Sequence, residues 1–150
     1  MIKVALLCLM LCFNVNLFAS DPSIDLSLPD EVSAKFAQQH LWDRYSISTR
    51  VNPFYQRGDF DGDGKPDFAV LVTANFSHEE AIVFVLSSRP KAIISPQRGR
   101  PCDGWIVLTP DATPTLKSNS KREGLVIKFG GPGILFVWDG EKFKSHPWGE

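Results

Sequence analysis

The chain is predicted to fold as α+β, mainly β, with an N-terminal helix followed by an antiparallel β-meander of about seven strands. Three observations predict this. Apolar residues between 30 and 45 recur at helical spacing. Beyond them the apolar runs are short, rich in β-branched and aromatic residues, and bounded by Gly, Pro, Asp or Ser. The gaps between these runs are too short for helical crossovers, so neighbouring strands should run antiparallel.

The first stretch, MIKVALLCLMLCFNVNLFAS, has one positive charge at Lys3, an apolar run from Val4 to Phe13, and small residues Ala19 and Ser20. That order reads as a signal peptide over residues 1–20. The run is short for a bilayer core of about 30 Å, which takes roughly 20 residues, although an uncleaved anchor is the alternative. Cys8 and Cys12 fall within the signal, and no Cys sits where a lipoprotein would need one. Residues 21–150 are then expected to form a single β-rich domain, periplasmic or secreted, with no stable membrane span after cleavage.

Residues 21–28 read as a loosely held N-terminus. Ser27-Leu28-Pro29-Asp30 fits a capping box. Ala34, Ala37, Leu41 and Tyr45, flanked by Val32 and Phe36, predict a helix over about 30–44. Residues 46–52 lead into a strand, and 54–57 are extended. Strands are then expected at 68–72, 81–86, 92–94, 105–108, 125–129 and 134–138. Asp139-Gly140 predicts a tight type I′ hairpin to Phe143. Gly130-Gly131-Pro132-Gly133 is a turn.

Between the second and third of these segments lies Asp59-Phe60-Asp61-Gly62-Asp63-Gly64-Lys65-Pro66-Asp67. Counting Asp59 as position 1, acidic side chains stand at positions 1, 3, 5 and 9. A wrapping loop with this spacing aims oxygens at one hard cation, and Ca²⁺ takes six to eight of them. Asp59, Asp61, Asp63 and Asp67 would supply carboxylates. Lys65 would supply its backbone carbonyl. Gly62 and Gly64 would let the chain bend between ligands. Four carboxylates this close repel one another unless a cation lies between them. The loop is not an EF-hand, because position 12 is Val70 and a strand, not a helix, should follow. Mg²⁺ prefers more water, and the absence of thiols and clustered imidazoles disfavours zinc. The bland alternative is a solvated Asp-Gly turn.

The stretch from Gly58 to Val70 resembles the calcium loop of FG-GAP and VCBS-type repeats. The resemblance implies a loop joining two antiparallel strands, with calcium at the same Asp positions. More loosely, the chain resembles small exported bacterial proteins of unassigned function with one such loop and a Trp-Asp-Gly-x-x-Phe hairpin, here Trp138, Asp139, Gly140 and Phe143. No internal period or second loop is present, and a propeller needs about four blades, so a complete propeller is excluded.

The other constellations carry less. The formal net charge is −1, and −2 without Lys3, so nucleic acid is not expected as a partner. Arg89, Lys91, Arg98 and Arg100 form a locally basic segment, either a solvated loop or a docking surface for an acidic partner. Lys121-Arg122-Glu123 reads as a solvated hairpin tip. His40, assigned to the helix, and His78 and His146 show no metal spacing. Ser87, His78 and Asp103 could be combined into a hydrolytic trio, but without a nucleophile elbow. Asn75-Phe76-Ser77 is a glycosylation sequon by spacing. Of the four Trp, Trp148 is expected to be the exposed one. Cys102 is expected to be a partly buried thiol in a turn, with an intermolecular disulfide or a nucleophile as alternatives.

The functional expectation is therefore an exported, calcium-stabilised, non-catalytic binding module for an unknown protein or envelope partner. An inhibitor or immunity protein against an exported toxin or hydrolase is the alternative, and a hydrolase the second.

Overall fold

A computed structural model describes residues 27–97, 99, 101–113 and 121–149. The expected signal peptide, residues 21–26, Arg98 and Arg100 lie outside the described residues. No helix among the described residues is long and apolar enough to cross a membrane.

Helix α1 spans Asp30–Gln38 and ends six residues before the expected limit. The capping box does not form. Pro29 is the N-cap, no side chain caps the helix, and the Pro29 carbonyl accepts the amides of Val32 and Ser33. Asp30 and Glu31 in the first turn still complement the positive end of the helix dipole. The buried face is Val32 and Phe36, continued by Leu41, while Ala34 and Ala37 are exposed. The helix stops in a Schellman turn: Leu41 N–H donates to the Phe36 carbonyl and His40 N–H to that of Ala37. His40 thus lies past the helix, at φ 51°, where glycine is the usual occupant. Leu41 packs on Phe36 in the same cluster. Replacing His40 with Gly relieves the left-handed backbone and is expected to raise stability by about 1 kcal/mol. Denaturant titration of both proteins checks this, and a loss of stability would contradict the turn.

Among the described residues the strands number nine in two antiparallel sheets, rather than about seven in one meander. In the first sheet, β3 (Asp67–Ala74) pairs with β4 (Glu80–Val85), which pairs with β5 (Ile93–Gln97). The other edge of β3 is shared end to end by β1 (Tyr45–Ile47) and β2 (Tyr55–Gly58). The second sheet runs in sequence order through β6 (Gly104–Leu108), β7 (Gly124–Lys128), β8 (Gly133–Trp138) and β9 (Phe143–Trp148). Among the described residues neither sheet closes into a barrel, and no propeller ring forms. The edge strands β5 and β9 each carry a proline, Pro96 and Pro147.

Side-chain alternation divides the core into three layers. Ala69, Leu71, Ile82 and Phe84 of the first sheet meet Trp105, Leu125, Ile127, Phe136 and Trp138 of the second in one buried cluster. The opposite face of the first sheet, with Phe68, Val70, Val72, Val83 and Val85, packs on Val32, Phe36 and Leu41. The first sheet is therefore covered on both faces, which explains why β3 and β4 are continuous apolar runs. The far face of the second sheet carries Val126, Leu135 and Val137, with Trp148 half-buried against them. Trp42, 41% exposed, is the exposed tryptophan instead of Trp148.

Rings hold the two sheets together. Phe84 and Phe143 stack at 3.7 Å, and Phe60 meets Phe84 edge-on at 5.9 Å. Trp105 donates its indole N–H to the Pro53 carbonyl at 2.8 Å. Buried Glu80 adds a polar tie: one oxygen accepts from Ser48 Oγ at 3.0 Å, the other from the Cys102 amide. Cys102 is wholly rather than partly buried, and burial pushes its thiol up to about 11. A thiol so placed offers neither an accessible sulfur for an intermolecular disulfide nor a thiolate at neutral pH. The β8–β9 turn is also not the expected two-residue type I′. Its four residues, 139–142, are closed by Asp139 N–H to the Lys142 carbonyl, and the Asp139 carboxylate accepts from the amides of Glu141 and Lys142. Those two amides hold the Asp139 carboxyl well below the usual carboxylate range.

Candidate metal centre

The acidic loop joins β2 to β3, whose first pair is Gly58 with Asp67. A strand follows it, as the apolar run after Asp67 predicts. The loop is anchored from within by Phe60, which is fully buried in the cluster between the sheets. With Phe60 turned inward, its neighbours Asp59 and Asp61 are left toward solvent. Gly62 and Gly64 bend the loop at φ 81° and 83°, conformations that glycine adopts without steric cost.

Asp67 is the centre of the loop and is completely buried. One carboxylate oxygen accepts the amides of Phe60 at 2.9 Å and Asp61 at 3.2 Å. The other accepts the Ser87 amide at 2.7 Å. Burial pushes this carboxyl up to about 6, against the opposing pull of those three amides. Asp59 accepts the amides of Gly62 at 2.8 Å and Gly64 at 3.0 Å. Asp61 accepts the Asp63 amide at 3.1 Å and the hydroxyl of Ser88.

Asp59, Asp61 and Asp67 each offer a carboxylate oxygen within 4.8 Å of the others, a cluster that could hold a metal ion. Asp63 stands outside this trio. Its oxygens accept the Lys65 amide at 2.8 Å and the Ser87 hydroxyl at 2.8 Å, which hold its carboxyl below the usual range. Lys65 is exposed and enters the loop's hydrogen bonding through its amide. The donor set fits a hard cation. All three side chains offer oxygen, and an ionised carboxylate has about four lone-pair sites, so each retains capacity beyond its two or three bonds. Two carboxylates at this spacing repel by roughly 3 kcal/mol at an effective dielectric near 20, and a cation between them removes that penalty.

Four residues of this site have no local sequence signal. Ser87 and Ser88 arrive from the turn after β4, which places them beside the loop because β3 and β4 pair in register. Arg122 and Glu123 arrive from just before β7. Glu123 accepts the Asp59 amide at 2.6 Å and returns its own amide to the Asp59 carbonyl at 2.9 Å. Arg122 donates to the Asp61 carbonyl at 3.2 Å and to the Trp138 carbonyl at 3.0 Å. Residues 122–123 are thus a brace between the loop and the second sheet, not a solvated tip. The one available signal is Phe60, an aromatic inside an acidic loop, which marks the loop as packed on something.

The remaining candidates are dispersed. Arg89 is exposed, but it donates to the Gly140 carbonyl at 2.7 Å and lies over the Trp138 ring at 5.3 Å. Lys91 is exposed, and Arg98 and Arg100 lie outside the described residues. Ser87 and His78 sit at opposite ends of β4, roughly 20 Å apart for a strand of six residues, so the trio with Asp103 is not assembled. The Asn75 amide group donates to the carbonyls of Trp42 and Asp43. Comparison with protein-family models, with curated proteins and with solved structures finds no match for this chain.

Proposed function

We propose that the chain is an exported, calcium-stabilised, non-catalytic binding module whose metal is held by the 59–67 loop. The observation that carries this reading is the convergence of the Asp59, Asp61 and Asp67 carboxylates within 4.8 Å, with Asp67 fully buried. The resemblance of Gly58–Val70 to FG-GAP and VCBS-type calcium loops supports calcium over other hard cations. Export rests on residues 1–20. The loop lies between two strands and is braced by a second sheet, so its metal would be a clamp on the fold rather than a reaction centre.

An ion that binds only the folded state stabilises it by RT ln(1 + [Ca²⁺]/Kd), about 2.7 kcal/mol at a hundredfold excess over Kd. Calcium is therefore expected to raise the melting temperature of the EDTA-treated protein by on the order of 10 °C. Magnesium should do less, and renewed chelation should reverse the gain. A melting curve indifferent to calcium, with no binding heat by calorimetry, would remove the metal from the proposal.

A further inference from the structure

A groove of about 540 Å³ lies between the β5 edge of the first sheet and β8–β9 of the second. It sits away from the acidic loop: β8 begins at the groove with Gly133 and ends at the loop's brace with Trp138. Its volume falls in the range of small-molecule sites, roughly 300–1,000 Å³. Phe129, Ile134 and Phe136 give it aromatic and aliphatic surface, and Pro96, Pro132 and Pro147 add flat, rigid faces. No Asp, Glu, Lys or Arg lines it among the described residues, and His146 is the one titratable side chain among those that do.

Of the polar side chains in the wall, Ser95, Gln97, Ser145 and His146, that of Gln97 is the buried one. Gln97 is only 6% exposed, and its amide nitrogen donates to the Ser95 carbonyl at 3.1 Å and the Ser95 hydroxyl at 3.3 Å. Its carbonyl oxygen has no donor among the described residues. No fully buried side-chain oxygen or nitrogen among them lacks a partner, so this oxygen keeps some exposure, and Gln97 is a residue of the groove wall. A largely buried acceptor held by its own amide end in the wall of a mainly apolar groove is the arrangement that fixes a small ligand's orientation.

We propose that this groove binds a neutral aromatic small molecule carrying one N–H or O–H donor, with Gln97 Oε1 as the acceptor that orients it. The site is independent of the loop's metal, so it stands whether or not calcium binds. Indole and 1-methylindole are suitable probes, sharing a ring system and differing in the donor. Titrating each into the ¹⁵N-labelled full domain should shift the amides of Ile134, Ser145 and His146 with indole. 1-Methylindole should bind about tenfold more weakly, the discrimination one hydrogen bond provides. Gln97→Leu should bring the two probes to within about twofold of each other. Ile134→Trp, which fills the groove from a half-buried position, should abolish both responses. Absence of indole-induced shifts at these amides up to the probe's solubility limit would overturn the site. Equal affinity of the two probes for the wild-type protein would overturn the role of Gln97 without recourse to any variant.

Discussion

Asp67→Ala is expected to lower the stability of the cation-free protein by about 3 kcal/mol or more. The size follows from what the carboxylate does within the chain. It is itself fully buried and accepts three backbone amides, those of Phe60, Asp61 and Ser87. Each buried donor left without an acceptor costs about 1–3 kcal/mol, and the amides cannot all rotate to water. The variant should also lose any response to calcium. Asp67→Asn separates the two roles, since its remaining carbonyl keeps an acceptor for one side of the loop but removes the charge. It should be the more stable of the two variants and equally deaf to calcium. Urea titrations with and without calcium read both effects. An Asp67→Ala protein within about 1 kcal/mol of wild type would mean the loop does not rest on this residue.

The same carboxyl sets a pH dependence with a definite sign. Its folded pKa, about 6, is above its ordinary value of 3.8, so the folded state holds the proton more tightly. Without a cation, this group's contribution to stability is fully present below pH 3.8 and is lost as pH rises through 6. A bound cation favours the ionised form and should weaken or invert that trend.

Phe84→Ala is the second large effect, at about 3–5 kcal/mol. Phe84 is fully buried, stacks on Phe143 at 3.7 Å and meets Phe60 at 5.9 Å. Its removal empties the place where β4, β9 and the acidic loop converge, and the surrounding backbone belongs to sheets that cannot collapse inward without losing register. Phe84→Leu should recover most of the loss. Because Phe60 anchors the loop, the Ala variant should also bind calcium more weakly. A small effect would mean that the two sheets do not share one core.

The convergence of Asp59, Asp61 and Asp67 was legible because its signal is local, carried by alternating Asp residues and two glycines within nine residues, although Asp63, counted with them, stands outside the trio. The strands were legible for the same reason. What escaped were relations between distant segments. Nothing near Asp59 announces Glu123, 64 residues away, and nothing near Asp61 announces Arg122, 61 residues away. The division into two sheets was equally hidden, since a meander that continues and one that restarts use the same short connections. Yet the unbroken apolar runs Phe68–Val72 and Ala81–Leu86 did carry the information. A strand with one solvated face alternates, and these do not, so both faces had to be covered. The helix was overestimated because its Schellman turn uses His40 where a glycine would have marked the end.

Pro96 and Pro147 bear on how the molecule behaves in company. Each removes a main-chain donor from the outermost strand of its sheet, so an approaching strand meets a gap in the ladder it would need to extend. At these two rims the fold is closed to strand-by-strand growth, and neighbouring molecules crowded together there have no continuous backbone template on which to polymerise.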